Sequence, residues 1–360
     1  AGSEQGFEVY RSTGAGIAFR RVAVVGPDIR TFQDTGLTPD TEYRYQVLAY
    51  NNAGNSVLSN EGIATTLANR HISVCVSGGS FTTVQDAIDS ARDGDVISVC
   101  DGTYVEQIDF LGKAVTVQSE NGLDMTTIDG DALGVVVSFT SGEKNNSVLK
   151  GFTITNGSTP HGGGIECNSF IFTSPLIAEC RIENNITAYR GGIYLKFAGP
   201  TIEDTIISSN QGYAGIYGEY GAAPVISGCE ISSNTAPSSS GGGLWLSNAR
   251  NFISDRRSAV YDTTFMSNSG YQGGGAYLSY ADAVFEGCDF VSNTADYGGG
   301  IYTNGGTQTF TGCIFSSNIA ARTNNSGSGG AIYANSRLIL QNCTISGNES
   351  DQNGGGIVTT

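Results

Sequence analysis

Apolar positions along this chain change period, and the changes divide it. From Gly6 to about Leu67 they fall in short alternating runs: Phe7 and Val9, then 19–25, closed by the turn signal Gly26-Pro27-Asp28. After Asn69-Arg70-His71, a strand over 72–76 leads into Val84, Ala87, Ile88 and Ala91, spaced i, i+3, i+4 and i+7 along one helix face. Thr82 and Gln85 have capping-box spacing and Gly94 is placed as a left-handed stop, which predicts a helix over about 83–93. Strands over 96–99, 115–117 and 135–137 follow at intervals of about twenty residues.

From about residue 162 one line recurs: apolar, two spacers, small, one spacer, apolar, two spacers, Asn. It runs Ile177, Cys180, Ile182, Asn185; then Ile202, Thr205, Ile207, Asn210; and on through Phe285, Cys288, Phe290, Asn293 to Leu340, Cys343, Ile345, Asn348. The seven asparagines are 25, 24, 34, 25, 25 and 30 residues apart, about one coil of a parallel β-helix each. Between these lines lies a glycine-rich one that ends apolar, aromatic, apolar, as in Gly243-Leu244-Trp245-Leu246. Glycine there is read as permitting the bend at a coil corner, and the apolar pair as facing inward at period two. Stacked coils then form columns of Ile/Phe, Cys/Thr and Asn, the last satisfying buried corner backbone. The fold expected is all-β: a right-handed single-stranded parallel β-helix over 69–360, regular over about 162–357, with the helix capping its N-terminal end. About 11 coils at strand spacing give a length on the order of 50 Å.

The stretch from Leu37 to Asn51, with Tyr43 as a tyrosine corner, resembles the E–F corner and F strand of a fibronectin type III domain. Asn52 to Ser56 resembles the turn that follows it. The resemblance implies a partial β-sandwich over 1–68, because the two strands that precede this point in the family are absent before Gly6. The repeats over 162–357 resemble those of polymorphic outer-membrane proteins and other bacterial surface β-helix proteins. That implies a secreted or cell-surface location, bacterial or archaeal, and an adhesin-like or structural role; it transfers no catalytic site. The last residues, 356–360, begin what reads as another coil, so both ends look cut and open to assembly.

Composition narrows the chemistry. Of 360 residues 51 are Gly, and charged residues make up 14%, against roughly 25% in an ordinary domain. A net charge of −16 excludes nucleic-acid and anionic-membrane partners. No apolar run approaches the ~20 residues of a membrane span, so membrane insertion is not expected. No converging carboxylate pair, zinc spacing or phosphate loop is recognisable, so neither catalytic residues, metal nor cofactor are assigned. The best charged group is Arg250 with Asp255, Arg256 and Arg257, in the longest repeat insertion, read as a solvated loop; His161 lacks the motifs that would give it a role.

Five cysteines share the small-residue column where Thr205 and Thr263 also stand, so they read as buried core thiols; Cys75 and Cys100, on neighbouring strands, are a candidate pair. The residue between each inward pair of the glycine-rich line faces outward. Tyr194, Tyr217, Trp245, Tyr277, Tyr302 and Tyr333 form that column, with Glu166 ahead of them. They are the candidate binding residues, toward glycans or neighbouring proteins. The expected function is an extracellular structural or adhesive protein that assembles with itself or with surface neighbours. The alternative is a β-helix that binds or degrades polysaccharide.

Overall fold

The structure, a computed structural model, describes residues 4–158, 163–237, 240–247, 257–321 and 327–360. Two compact units make up the chain, Ala1–Arg70 and His71–Thr360.

The first unit is an antiparallel sheet in which Gly6–Ser12 lies between Arg20–Val25 and Glu42–Asn51, and the latter also pairs with Gly54–Asn55 and Gly62–Thr65. The Tyr43 hydroxyl accepts a hydrogen bond from the Thr38 amide at 2.9 Å, pinning the turn ahead of the longest strand. Arg11 reaches both carboxylate oxygens of Asp34, at 3.0 and 2.9 Å.

The second unit is a parallel solenoid of about eleven turns. Each regular coil contributes strands to stacked parallel ladders, with residues held in register from coil to coil. One ladder aligns Ile216, Leu244, Ala276, Ile301 and Ile332 in one inward column. Another aligns Ile182, Ile207, Ile231, Phe265, Phe290 and Phe315. All of these are fully buried. Where the column changes from isoleucine to phenylalanine the rings lie face to face: Phe265 on Phe290 at 4.6 Å and 3°, and Phe290 on Phe315 at 5.0 Å and 5°.

The asparagine column forms a continuous ladder, fully buried from Asn185 to Asn318 and half-buried at Asn348. From Asn210 on, each side-chain oxygen accepts from the backbone amide and the side-chain amide of the asparagine one coil earlier, as Asn268 does from Asn234 at 3.0 Å in both cases. Each side-chain nitrogen also donates to a carbonyl of the preceding coil, Asn268 to Ile231 at 2.7 Å.

That ladder corrects the reading of the glycines. In Gly298-Gly299-Gly300 only the first has the left-handed φ, 63°, that a bend requires. At Gly300 a Cβ would instead sit 3.3 Å from Cγ of Asn318 and 2.6 Å from a neighbouring carbonyl oxygen. The last glycine is there for close approach, leaving space beside the amide ladder.

The capping helix covers Val84–Ser90, shorter than the periodicity implies, because Ala91 is already extended. Its N-cap is Thr83 rather than Thr82, and Thr83 accepts from the Asp86 amide. The amides of Val84 and Gln85 are satisfied by the Glu106 carboxylate at 2.8 and 2.9 Å, a cap supplied from a different coil. Val84, Ala87 and Ile88 face the core, closing the end of the coil stack.

Cys75 and Cys100 form a disulfide between neighbouring strands at this end. Replacing Cys75 by serine is expected to remove about 3.5 kcal/mol of stability, the loop-closure value for a crosslink of this separation, 25 residues. The readout is a lower urea midpoint. An unchanged midpoint would mean that the strand pairing alone fixes this end.

Candidate functional site

The outward column expected from the glycine-rich line is present and in register. Glu166 pairs with Tyr194, Tyr194 with Tyr217, Tyr217 with Trp245, Trp245 with Tyr277, Tyr277 with Tyr302 and Tyr302 with Tyr333. Parallel in-register pairing forces this, because like positions of successive coils lie one strand spacing apart.

The column is not uniform. Tyr194 is fully buried and Tyr217 nearly so, which corrects the expectation that both are open to a ligand. The Arg190 guanidinium lies 3.7 Å from the Tyr194 ring centre and 4.0 Å from the Glu166 carboxylate. Tyr213 packs edge-on against Tyr217 at 5.6 Å. Both phenols donate to one carboxylate, Tyr194 to Oε1 of Glu219 at 2.7 Å and Tyr217 to Oε2 at 3.0 Å. Burial first, then that carboxylate, pushes both phenol pKa values up, so they remain neutral donors. These two residues brace the start of the column.

Trp245, Tyr277, Tyr302 and Tyr333 are half-buried and form its accessible part. Tyr277, Tyr302 and Tyr333 stack at 5.5 and 5.3 Å with interplanar angles of 11° and 4°. Their faces are spent on one another, which leaves ring edges and hydroxyls as what this part of the column can offer a ligand. Trp245 breaks the stack, standing at 77° to Tyr217 and 81° to Tyr277. Its indole nitrogen is buried and has no hydrogen-bond partner among the described residues.

A second line of rings flanks the first, one that the repeat pattern alone does not single out. Tyr189 contacts Tyr213, Tyr213 contacts Trp245, Tyr271 contacts Tyr297, and Tyr297 contacts Tyr333. The signal was available: each of Tyr189, Tyr213, Tyr271 and Tyr297 precedes its column residue by four to six positions, on the far side of a glycine. The result is a band of rings two abreast, whose members furnish phenol hydroxyls and few charges.

The other candidates contribute less. Arg250, Asp255, Arg256 and His161 lie outside the described residues; Arg257 is exposed. Among the described residues no group of His, Cys, Asp and Glu could hold a metal ion, and no helix is long and apolar enough to cross a membrane. Cys180, Cys229, Cys288 and Cys313 are buried; each thiol lies near a carbonyl of the preceding coil, Cys180 3.9 Å from Leu149 and Cys288 3.4 Å from Val260. Burial pushes the thiols of Cys180 and Cys229 up to about 11, which leaves them protonated and inert.

Among solved structures, a pectin methylesterase from Aspergillus niger is 16% identical, with a TM-score of 0.45 over 80% of this chain and 89% of that one. The pectin methylesterase PemA from Erwinia chrysanthemi is 13% identical, with a TM-score of 0.43 over 67% and 81%. A mutant pectin methylesterase in complex with a hexasaccharide is 11% identical, with a TM-score of 0.39 over 69% and 90%. No curated protein matches the chain. The family described as the right handed beta helix region matches residues 107–257, 164–319 and 252–360, the stretch that holds the regular coils and the ring band, and this chain belongs to that family.

Proposed function

We propose that this protein binds an extended, neutral polysaccharide outside the cell, laid along the ring band parallel to the solenoid axis. The observation that carries the reading is the register-locked run of half-buried rings at Trp245, Tyr277, Tyr302 and Tyr333. Coils repeat about every 4.8 Å, close to the rise of one sugar in an extended glycan, so consecutive sugars meet equivalent groups. Outward phenol edges supply hydrogen bonds to sugar hydroxyls, and the rings supply apolar surface at little cost in side-chain entropy. A charge of −16 disfavours polyuronates and other anionic chains. The Cys75–Cys100 disulfide supports an oxidising, extracellular setting. No pair of carboxylates stands in the outward column, so the reading is binding rather than cleavage.

The double change Tyr277→Phe with Tyr333→Phe tests it. Both rings keep their stacking and only two hydroxyls are lost, so the thermal midpoint should hold. Affinity for a soluble neutral glucan should fall about tenfold, two hydrogen bonds of ordinary net worth. Affinity gel electrophoresis in hydroxyethylcellulose and in galactomannan reads the effect. Native protein that migrates freely in both gels would defeat the reading and return the band to packing duty in a structural or adhesive rod.

A further inference from the structure

Every regular coil has corners at which the backbone must turn left-handed. Ahead of the Cys/Thr column the residues there are Glu179, Asp204, Gly228, Asp262, Gly287, Gly312 and Asn342, with φ between 44° and 64°. Ahead of the asparagine ladder they are Asn184, Ser209, Ser233, Ser267, Ser292, Ser317 and Gly347, with φ between 55° and 60°. Glycine and short polar side chains dominate both sets, as the left-handed region demands of L-residues. The corner that ends the ring-bearing strand departs from that rule. Phe197, Tyr220 and Tyr280 stand there at φ 48°, 48° and 49°.

A bulky aromatic residue is a poor choice for this conformation, and strain of this kind persists where something other than backbone fit favours the residue. Burial does not explain it: the three are 42%, 53% and 54% exposed. Nor does an obligatory aromatic partner, because the next coil places Gly305 at the same register position, three residues beyond Tyr302. There a Cβ would come within 2.9 Å of the Tyr280 ring, so the glycine makes room for the ring to lean over its coil. In the coil ahead of Phe197 the strand Ile165–Thr173 bulges, and Phe170 and Ile171 at its tip are exposed. Exposed apolar side chains thus recur along the corner at Phe170, Phe197, Tyr220 and Tyr280; the coil between the last two carries Asn248 there, outside the described residues.

We infer that Phe197, Tyr220 and Tyr280 form a sugar-stacking row, against which pyranose rings of the neutral polysaccharide lie, beside the phenol edges of Tyr277 and Tyr302. The inference rests on the glycan reading above and divides the labour within it: the column supplies hydrogen bonds, the corner supplies ring surface. Each corner ring follows a polar residue on its strand: Lys196 before Phe197, Glu219 before Tyr220 and Ser279 before Tyr280. Glu219 is taken up by Tyr194 and Tyr217 and Ser279 is buried, so Lys196 is the exposed-side hydrogen-bonding group. The Lys196 ammonium lies 5.4 Å from the Tyr220 ring centre. Separate exposed rings with an ammonium beside one of them suit a sugar, with its apolar C–H face and hydroxyl rim, better than the continuous apolar core of a protein interface.

The test is Tyr280→Asn, alone and with Tyr220→Asn. Asparagine accepts the left-handed conformation more readily, so the thermal midpoint of the full chain should stay level or rise. Affinity for hydroxyethylcellulose or galactomannan should fall about tenfold, the worth of one good aromatic contact. A lower midpoint would overturn the inference, because the rings would then be structural. Unchanged affinity in Tyr280→Asn, with the Tyr277→Phe and Tyr333→Phe pair still weakened, would overturn it while leaving the glycan reading intact. Native protein that binds neither glycan, with Tyr280→Asn raising the midpoint, would refute both and assign the row to a protein partner.

Discussion

Replacing Asn268 by alanine is expected to cost about 4 kcal/mol of stability, as would any of the equally buried inner rungs of the ladder. Its amide stands mid-ladder and fully buried. Its oxygen accepts from the Asn234 backbone amide and side chain, and its nitrogen donates to the Ile231 carbonyl. Alanine strands all three of these groups away from water, and each stranded group costs about 1–3 kcal/mol. Asn348 provides the internal comparison. It makes the same bonds to Asn318 at the last position of the ladder, but it is only half-buried. Water can replace part of what Asn348→Ala removes, so about 1 kcal/mol is expected there. Urea unfolding of the two variants, with m-values compared to detect loss of cooperativity along the coils, measures the difference. Equal losses would show that the ladder does not depend on burial.

Phe290→Ala should be comparably damaging, at about 4 kcal/mol. The ring is clamped face to face between Phe265 and Phe315 and edge-on to Phe285 at 5.8 Å and Phe310 at 6.3 Å. Truncation removes the middle of a stack that spans three coils, and main-chain ladders on either side keep the void from closing. Phe290→Ile, the residue type that fills this column at Ile207 and Ile231, should cost less than half as much. A Phe290→Ala variant within 1 kcal/mol of the parent would mean that neighbouring coils collapse readily into the gap.

Both predictions concern columns that can be traced in the sequence. A coil of about 25 residues returns each position to the same place, so a repeated side chain becomes a column whatever lies in the turns. Ile182 through Phe315, the asparagines and the outward rings from Tyr194 to Tyr333 could be aligned for that reason alone. The corner aromatics Phe197, Tyr220 and Tyr280 recur at the same register too, but their meaning depends on φ, which the sequence does not display.

Period and strict in-register stacking suffice to read the parallel coil, the contents of its core columns and the strand face on which each residue lies, though not whether that face is open, as buried Tyr194 shows. Tertiary structure decided everything that depends on neighbours at other distances along the chain. Glu219 collects the hydroxyls of Tyr194 and Tyr217, Arg190 covers the Tyr194 ring, and Glu106 caps a helix twenty residues behind it. Whether rings lie parallel, as Tyr302 and Tyr333 do, or crossed, as Trp245 does, is likewise settled by side-chain torsions under crowding from adjacent coils. Repetition fixes position along and around the coil, whereas burial, ring orientation and hydrogen-bond partners are set by the particular side chains that repetition brings together.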